Sequence, residues 1–460
     1  MKKSKLIGVV AVLAMVLAAC SGDSGTTTTA GDGGTTTTAD NGTTTTSGET
    51  TTTGGEGDNP LAAYGEDPGA ADLALVEKAL GPVTPSDEAS WNIILAAVAR
   101  VNQDLDQATI DKAMECWANQ ECDTGSGGEL VMGYADGGGN DVNVWRSVSH
   151  MEAVLQALTY SEIGTIISTA ANFDQDPTVH EGQFNFLVQS GVDFIVGYPD
   201  IGGLLADEVL AAEAAGIPYI PFSAGYVGLP GSDGALTPGQ DYTAVVGEDL
   251  CALGQSFADV LNTGVGSGDV ALLGGTPNNA LSLGWQQCTI SALSSDLNLI
   301  NPPANSNSTT GDTNWFNPII PDVFSGLLSQ SQEIRGYAYE YADGLLAGLT
   351  AYETANPPIP VQNLTVALRT DEQSLFCDWA DRNEPTYNIW FSAGGNFQSR
   401  VSVTAAMLAL QGAEVPGEIV VPHVMRQVTA ADCDPNRANP VVSGTSLVPD
   451  SVLALMFGGS

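Results

Sequence analysis

From residue 129 onward, short apolar runs alternate with amphipathic stretches of helical length. ELVMGYA precedes VWRSVSHMEAVLQAL, GTIIST precedes TVHEGQFNFLVQS, VDFIVGY precedes GLLADEVLAAEAAG, and IPYIPFS precedes a long loop. VVGE then leads into LCALGQSFADVLN, and DVALLGG into ALSLGWQQCTISALSS. EIRGYAYEY, NLTVALR, YNIWFS and EIVVPHV are later strands with helical stretches between them. Strands that alternate with helices pair in parallel, which implies an α/β architecture with helices flanking the sheets. In such sheets ligands bind beyond the carboxyl ends of the strands. The loops after Tyr134, Ile167, Tyr198, Phe222, Leu273, Tyr339 and Leu368 therefore face any site. They are rich in Asp, Asn, Gly and aromatics, which suits capture of a small polar molecule.

The chain before residue 129 reads differently. MKKSK is a basic start, and LIGVVAVLAMVL is an apolar stretch too short to span a bilayer comfortably. Leu17-Ala18-Ala19-Cys20 follows and resembles the bacterial lipobox, in which the cysteine is acylated and becomes the new N-terminus. Residues 1–19 are thus expected to be a lipoprotein signal peptide, with Cys20 the lipidation site and the protein held at the outer or periplasmic face of the cell membrane by its lipid anchor only. Residues 20–58 carry four Thr tetrads among Gly, Ser, Asp and Glu, cannot bury a core, and read as a flexible tether. Residues 59–128 contain DLALVEKAL, ASWNIILAAVARV and ATIDKAMECWANQ, expected to form a helical extension on the main body.

Charge narrows the partners. Thirteen Lys+Arg stand against 54 Asp+Glu, a formal net charge of −41. Such a chain is repelled by nucleic acid, so no nucleic-acid partner is expected. Apart from Cys20 there are six cysteines, an even number that in an exported chain implies three disulfides with fifteen possible pairings. Sequence proximity favours Cys116–Cys122, with Cys251–Cys288 and Cys377–Cys433 as neighbours in order. No paired CxxC occurs, and the three histidines share no motif, so no metal and no cofactor are expected. Nucleophile-elbow, P-loop, HExxH and dinucleotide signatures are lacking, which argues against an enzyme. A pair of glycosidase carboxylates stays open among so many acids.

LVQSGVDFIVGYPDIGGLLADEVLAAEAAGIPYIPFSAG resembles the ribose-type, sugar-binding branch of the type I periplasmic binding proteins. The resemblance continues through VVGEDLCALGQSFADVL, GDVALLGGTPNNALSLGWQQ and YEYADGLLAGLTAYE to AAMLALQGAEVPGEIVVPHVM, covering about residues 129–448. It implies two Rossmann-like lobes with parallel sheets joined by a three-crossing hinge, the ligand lying in the cleft between them. Residues 129–243 and 393–423 would form lobe 1, and residues 244–392 and 424–460 lobe 2. The disulfides Cys251–Cys288 and Cys377–Cys433 would then each lie within lobe 2. The family's contact loops fall on Asp136, Asn143 and Trp145 after the first strand. Ser223 and Tyr226 stand where the family has an Asp-Arg pair, so a charged clamp on sugar hydroxyls is missing there. Asn279, Trp315, Asp343, Arg369 and Asp371 complete the implied ligand set, with Trp145 and Trp315 facing each other across a bound ring.

The same residues have structural readings. Both tryptophans could pack in a core, Asp343 could cap a helix, Asn279 could start one, and Arg369 could sit in a surface ion pair. The implied function is capture of a small polar ligand, a sugar first, by a monomer that delivers it to an ABC transporter permease. A nucleoside, polyol or signalling furanose, or a sensing role, is the alternative, and a surface glycosidase is the reading from another class. Turnover of bound ligand would separate the last from the rest.

Overall fold

The computed structural model describes residues 59–458, apart from 137–138, 141, 171–175, 383–386, 394 and 438–441. Cys20, the leader and the tether lie outside the described residues. Three helices come first: α1 (Leu73–Leu80), α2 (Glu88–Ala99) and α3 (Gln107–Ala118). Each starts on an aspartate, Asp72, Asp87 and Asp106, whose side chain accepts from a backbone N–H of the first turn. Such a cap satisfies one of the donors that a helix start leaves free.

The first sheet is built from β1 (Glu121–Asp123), β2 (Leu130–Asp136), β3 (Ile163–Ser168), β4 (Phe194–Tyr198) and β5 (Tyr219–Pro221), in the order β1-β3-β2-β4-β5. All pairs are parallel except β1 with β3, where Cys122 opposes Ile166. Helices α4 (Val144–Ala157), α5 (Pro177–Gln189) and α6 (Ala206–Ala214) connect the strands. Strand β4 is buried along its whole length. Its Ile195 packs with Phe184 and Leu187 of α5, while Phe194 and Val196 turn to the other face with Met151 of α4. This two-sided burial explains why its sequence is a continuous apolar run rather than an alternation.

The chain then crosses through β6 (Val245–Gly247) into a second set of elements: α7 (Leu250–Val265), β7 (Gly268–Leu272), α8 (Ala280–Ala292), β8 (Leu297–Leu299), α9 (Ile320–Gln330), β9 (Ile334–Tyr339), α10 (Ala342–Ala355), β10 (Thr365–Leu368), α11 (Gln373–Asp381) and β11 (Asn388–Phe391). It returns to the first sheet as α12 (Gln398–Leu410), runs through β12 (Glu418–Val420) and crosses again to β13 (Arg426–Gln427). The second sheet has the order β13-β11-β10-β9-β7-β8, and only its edge pair β11–β13 is antiparallel. Strands β6 and β12 pair in parallel between the two sheets, so the chain passes from one to the other three times. This is the two-lobe architecture of type I periplasmic binding proteins.

The N-terminal segment is more than a helical layer, because β1 extends the first sheet and Cys116–Cys122 bonds it to α3. Helices α2 and α3 pack on α12 and α4. The Ser90 hydroxyl accepts from Val420 N–H at 3.0 Å, and Trp117 Nε1 donates to Ser147 O at 3.0 Å. As a result every residue of α4 from Arg146 to Ala157 is buried, and so is every residue of α12 from Gln398 to Leu408. Their inner polar groups are paired: Arg400 with Glu152, and Gln156 with Thr404 at 2.9 Å.

After β13 the tail does not stay with the second sheet. Asp371, just past β10, accepts from Ser443 and Thr445. Glu152 of α4 accepts from Ser446 Oγ at 3.0 Å and Leu447 N–H at 2.7 Å. The last helix, α13 (Asp450–Met456), packs on α3. Cys251–Cys288 joins α7 to α8, and Cys377–Cys433 joins α11 to the segment after β13.

Candidate ligand-binding cleft

The carboxyl ends of the two parallel sheets point at one another across a narrow cavity of about 30 Å³. From the first lobe it is lined by Asn143, Trp145 and Arg146 at the start of α4, by Tyr198 at the end of β4, and by Ser223 after β5. Leu281, Trp315, Glu340, Tyr341, Arg369 and Thr370 line it from the second. Its mix of aromatic rings with a few polar groups is typical of ligand pockets.

Arg146 is the centre of the first lobe's wall. It is buried and paired with both Asp136 and Asp200, the latter at 2.8 Å. Burial pulls its pKa down, but the two carboxylates outweigh that and hold it above the ordinary arginine range. Its guanidinium lies 5.1 Å from the Tyr198 ring centre and 5.6 Å from that of Trp315. A charged clamp therefore exists, assembled from β2, α4 and the loop after β4 rather than from the loop after β5. In the second lobe Arg369 donates to Glu248 at 2.9 Å and to Ser223 Oγ at 2.8 Å. Burial would raise Glu248, yet Arg369 holds it below the usual glutamate range. The Arg369 Nε–H is buried without a hydrogen-bond partner. Burial raises Glu340 against the hydrogen bonds it receives from Ser282, Trp285 and Trp315.

Direct bonds hold the lobes together. Tyr198 OH donates to Asn279 Oδ1 at 3.0 Å, Asn279 Nδ2 to Asp200 O at 2.9 Å, Thr276 Oγ1 to Asp200 Oδ1 at 3.1 Å, and Asn143 Nδ2 to Trp315 O at 3.2 Å. Two pairs of consecutive non-glycine residues adopt left-handed backbone here: Ser223 and Ala224 at φ 61° and 51°, Asn314 and Trp315 at φ 51° and 50°. Such conformations cost of order 1–3 kcal/mol each and cluster at ligand clamps.

Of the ten residues singled out from the sequence, Asn143, Trp145, Ser223, Trp315 and Arg369 line the cavity. Arg369 is in a buried ion pair rather than a surface one. Asp136 stands one layer back, behind Arg146. Asn279 caps α8 by accepting from Leu281 N–H and bonds across the cleft without lining the cavity. Three others are elsewhere. Tyr226 faces a groove beside β6 and β12, with Glu418. Asp343 sits in the first turn of α10 and accepts from Asn317, Tyr341 and Ser374. Asp371 is held by the tail. For the last two, neighbouring side chains already occupy the carboxylate. The two tryptophans both meet Tyr198, which stands edge-on to Trp145 at 6.4 Å and to Trp315 at 5.9 Å.

Arg146, Tyr198, Leu281, Glu340, Tyr341 and Thr370 line the cavity without having been singled out from the sequence. Arg146 carried a signal. Basic residues are scarce in this chain, and an arginine in the first turn of a helix opposes the helix dipole, so a specific partner was to be expected. Among the described residues no group of three or more His, Cys, Asp or Glu could hold a metal ion, and no helix is long and apolar enough to cross a membrane.

No protein-family model matches the sequence, and no curated protein matches it. Solved structures do match by shape. A Mycobacterium smegmatis protein in complex with β-D-fucofuranose superposes with a TM-score of 0.53 at 18% identity, covering 67% of this chain and 95% of that one. A galactofuranose-binding protein gives 0.54 at 14% identity, covering 65% and 94%. An ABC transporter periplasmic solute-binding protein from Actinobacillus succinogenes with bound D-allose gives 0.52 at 17% identity, covering 66% and 98%. Two of these three are named as binding proteins, and at such identities all three establish the fold alone.

Proposed function

We propose that this chain is an extracytoplasmic solute-binding lipoprotein that captures a small neutral polyhydroxylated ligand, a sugar or polyol, and delivers it to an ABC importer. The observation that carries the reading is the composition of the interlobe cavity. Trp145, Tyr198 and Trp315 offer ring faces and edges for apolar C–H groups, while paired charges offer directional hydrogen bonds. Each arginine in the cavity wall is matched by carboxylates: Arg146 by Asp136 and Asp200, Arg369 by Glu248. The wall holds no surplus positive charge for a phosphate or sugar acid. Bonds across the cleft exist only while the lobes are together, so a ligand touching both walls shifts the open–closed equilibrium by its differential affinity. A permease can read that closed shape.

The fold relatives crystallised with a furanose, with D-allose and with glycerol support this ligand class. Delivery to a permease and anchoring through Cys20 belong to the same proposal. A thermal-shift screen against neutral sugars, polyols, nucleosides and sugar phosphates tests it, because a ligand that binds only the folded form raises its apparent stability. Stabilisation by neutral sugars or polyols and not by phosphorylated ones is expected. Stabilisation confined to anionic compounds, or turnover of a stabilising compound, would overturn it.

A further inference from the structure

Glu340 follows β9 and is 2% exposed. Its two carboxylate oxygens go to two different indoles: Oε1 accepts from Trp285 Nε1 and Oε2 from Trp315 Nε1. The two rings have different settings. Trp285 is wholly buried on α8, edge-on to Phe257 at 5.0 Å. Trp315 lines the cleft. The carboxylate thus ties a ligand-facing ring to the core of the second lobe.

Further contacts within the second lobe hold Trp315 in the same orientation. Its ring lies flat on Gly275, where an added Cβ would come within 1.9 Å of ring carbon Cε2. Gly275 N–H donates to Ser282 Oγ at 2.9 Å, and Ser282 in turn bonds Glu340. Thr313 N–H donates to Gly274 O at 2.9 Å, Asn314 N–H to Gly275 O at 3.0 Å, and Trp315 N–H to Thr313 Oγ1 at 3.2 Å. These bonds hold Asn314 and Trp315 in left-handed backbone. A bulky residue at positive φ persists only where its surroundings over-determine it.

We propose that Glu340 is a positioning residue that presets the Trp315 ring for ligand, so that little ordering is left to occur on binding. The inference rests on the cleft being the ligand site. An indole N–H can only donate, and here the two approach different oxygens, so each position needs an acceptor. A carboxylate supplies both. A glutamine supplies one oxygen and turns an NH2 group toward the other indole. The residue needed is therefore Glu, and the requirement exists only because Trp285 competes for an oxygen.

The experiment compares the full chain with Glu340→Gln, Trp285→Phe and the double variant, each checked for cooperative melting. Affinities are measured by calorimetry for D-allose, D-galactose, D-fructose and glycerol. Indole N–H resonances are recorded on 15N-Trp-labelled protein, the Trp315 signal being the one lost in Trp315→Phe. Glu340→Gln should move the Trp315 resonance and lower affinity for the best of the four compounds about tenfold, the scale of a hydrogen bond to a charged group. In the double variant the single oxygen is free to serve Trp315, so affinity should return to within about threefold of Trp285→Phe alone. A merely structural glutamate would show no such rescue. An unmoved Trp315 resonance in Glu340→Gln, or parental affinity, overturns the proposal. If none of the four compounds binds the parent, the resonance alone decides the role of Glu340, and the sugar-capture reading is what suffers.

Discussion

The phenol of Tyr198, at the end of β4 in one lobe, donates to Oδ1 of Asn279, the cap of α8 in the other, over 3.0 Å. The same Asn279 side chain gives its Nδ2 hydrogen to Asp200 O, so one amide is clasped by two points of the opposite lobe. Tyr198→Phe deletes one of these links and keeps the ring. A net loss of about 0.5–1.5 kcal/mol from the closed form is expected. Small-angle scattering should then report a larger fraction of open molecules without ligand, and calorimetry a two- to tenfold weaker binding. An unchanged scattering profile would show that this bond does not govern closure.

Trp145 and Trp315 line the cavity from the two lobes, each in edge contact with Tyr198. Replacing either with Ala should weaken binding of the sugar found by thermal-shift screening by roughly 1–3 kcal/mol, the scale of burying one large side chain. Titration calorimetry on both variants decides this. Two folded variants that bind like the parent would move recognition to Arg146, Arg369 and their partners.

The three disulfides close loops of very different length, with sequence separations of 6, 37 and 56 residues. On loop entropy, removing Cys116–Cys122 should cost about 2 kcal/mol, and removing Cys251–Cys288 or Cys377–Cys433 about 4. Paired Cys→Ser variants in urea titrations give the ranking. Equal losses from all three would show that local packing, not chain entropy, sets their worth.

Two buried groups impose opposite pH slopes. Burial pushes His150 down to about 3 from an ordinary 6.5, so between those values the unfolded chain binds the extra proton and stability falls as the pH drops. Burial pushes Glu372 up to about 8 from 4.5, against a hydrogen bond from Thr370 and with Asp371 and Asp343 adding to the rise. Its contribution is whole below pH 4.5 and is lost as the pH rises towards 8. At about 1.4 kcal/mol per pH unit the two offset each other between 4.5 and 6.5. Above 6.5 only Glu372 remains, and the parent should lose about 2 kcal/mol by pH 8. Glu372→Gln should be flat over that interval in chemical denaturation. A parent that is equally flat has an ionised Glu372.

Cys20→Ser should release the protein from the membrane fraction, since the LAAC segment resembles a lipobox and a polar linker follows at once. Retention of the serine variant would require another anchor.

Most of the architecture is readable because the sheets are two-sided and parallel. Runs such as FIVGY and VALLGG are unbroken apolar strings, which mark buried strands. The short strands β1, β8 and β13 have two or three residues each and leave no such trace. Helix α4 reads as amphipathic, but α12 packs on it, so Glu152 and Gln156 are buried with Arg400 and Thr404 as partners. Periodicity cannot reveal a partner that arrives from elsewhere in the chain. The site follows the same logic. Trp145 and Arg369 are found from their place after strands, whereas Glu340 ends an apolar strand and gains its meaning only from Trp285 and Trp315. Asp371 occupies a loop position like that of Arg369, yet the tail, some seventy residues further on, takes its carboxylate.

A hinge of three chain crossings by itself sets no limit on how wide a two-lobed molecule can gape. Here Thr445 is bonded to Asp371 and the next residue, Ser446, to Glu152, on opposite lobes. One residue of extended chain reaches about 3.5 Å, so the leash has almost no slack. Any excursion that draws these two carboxylates further apart must first let go of one of them.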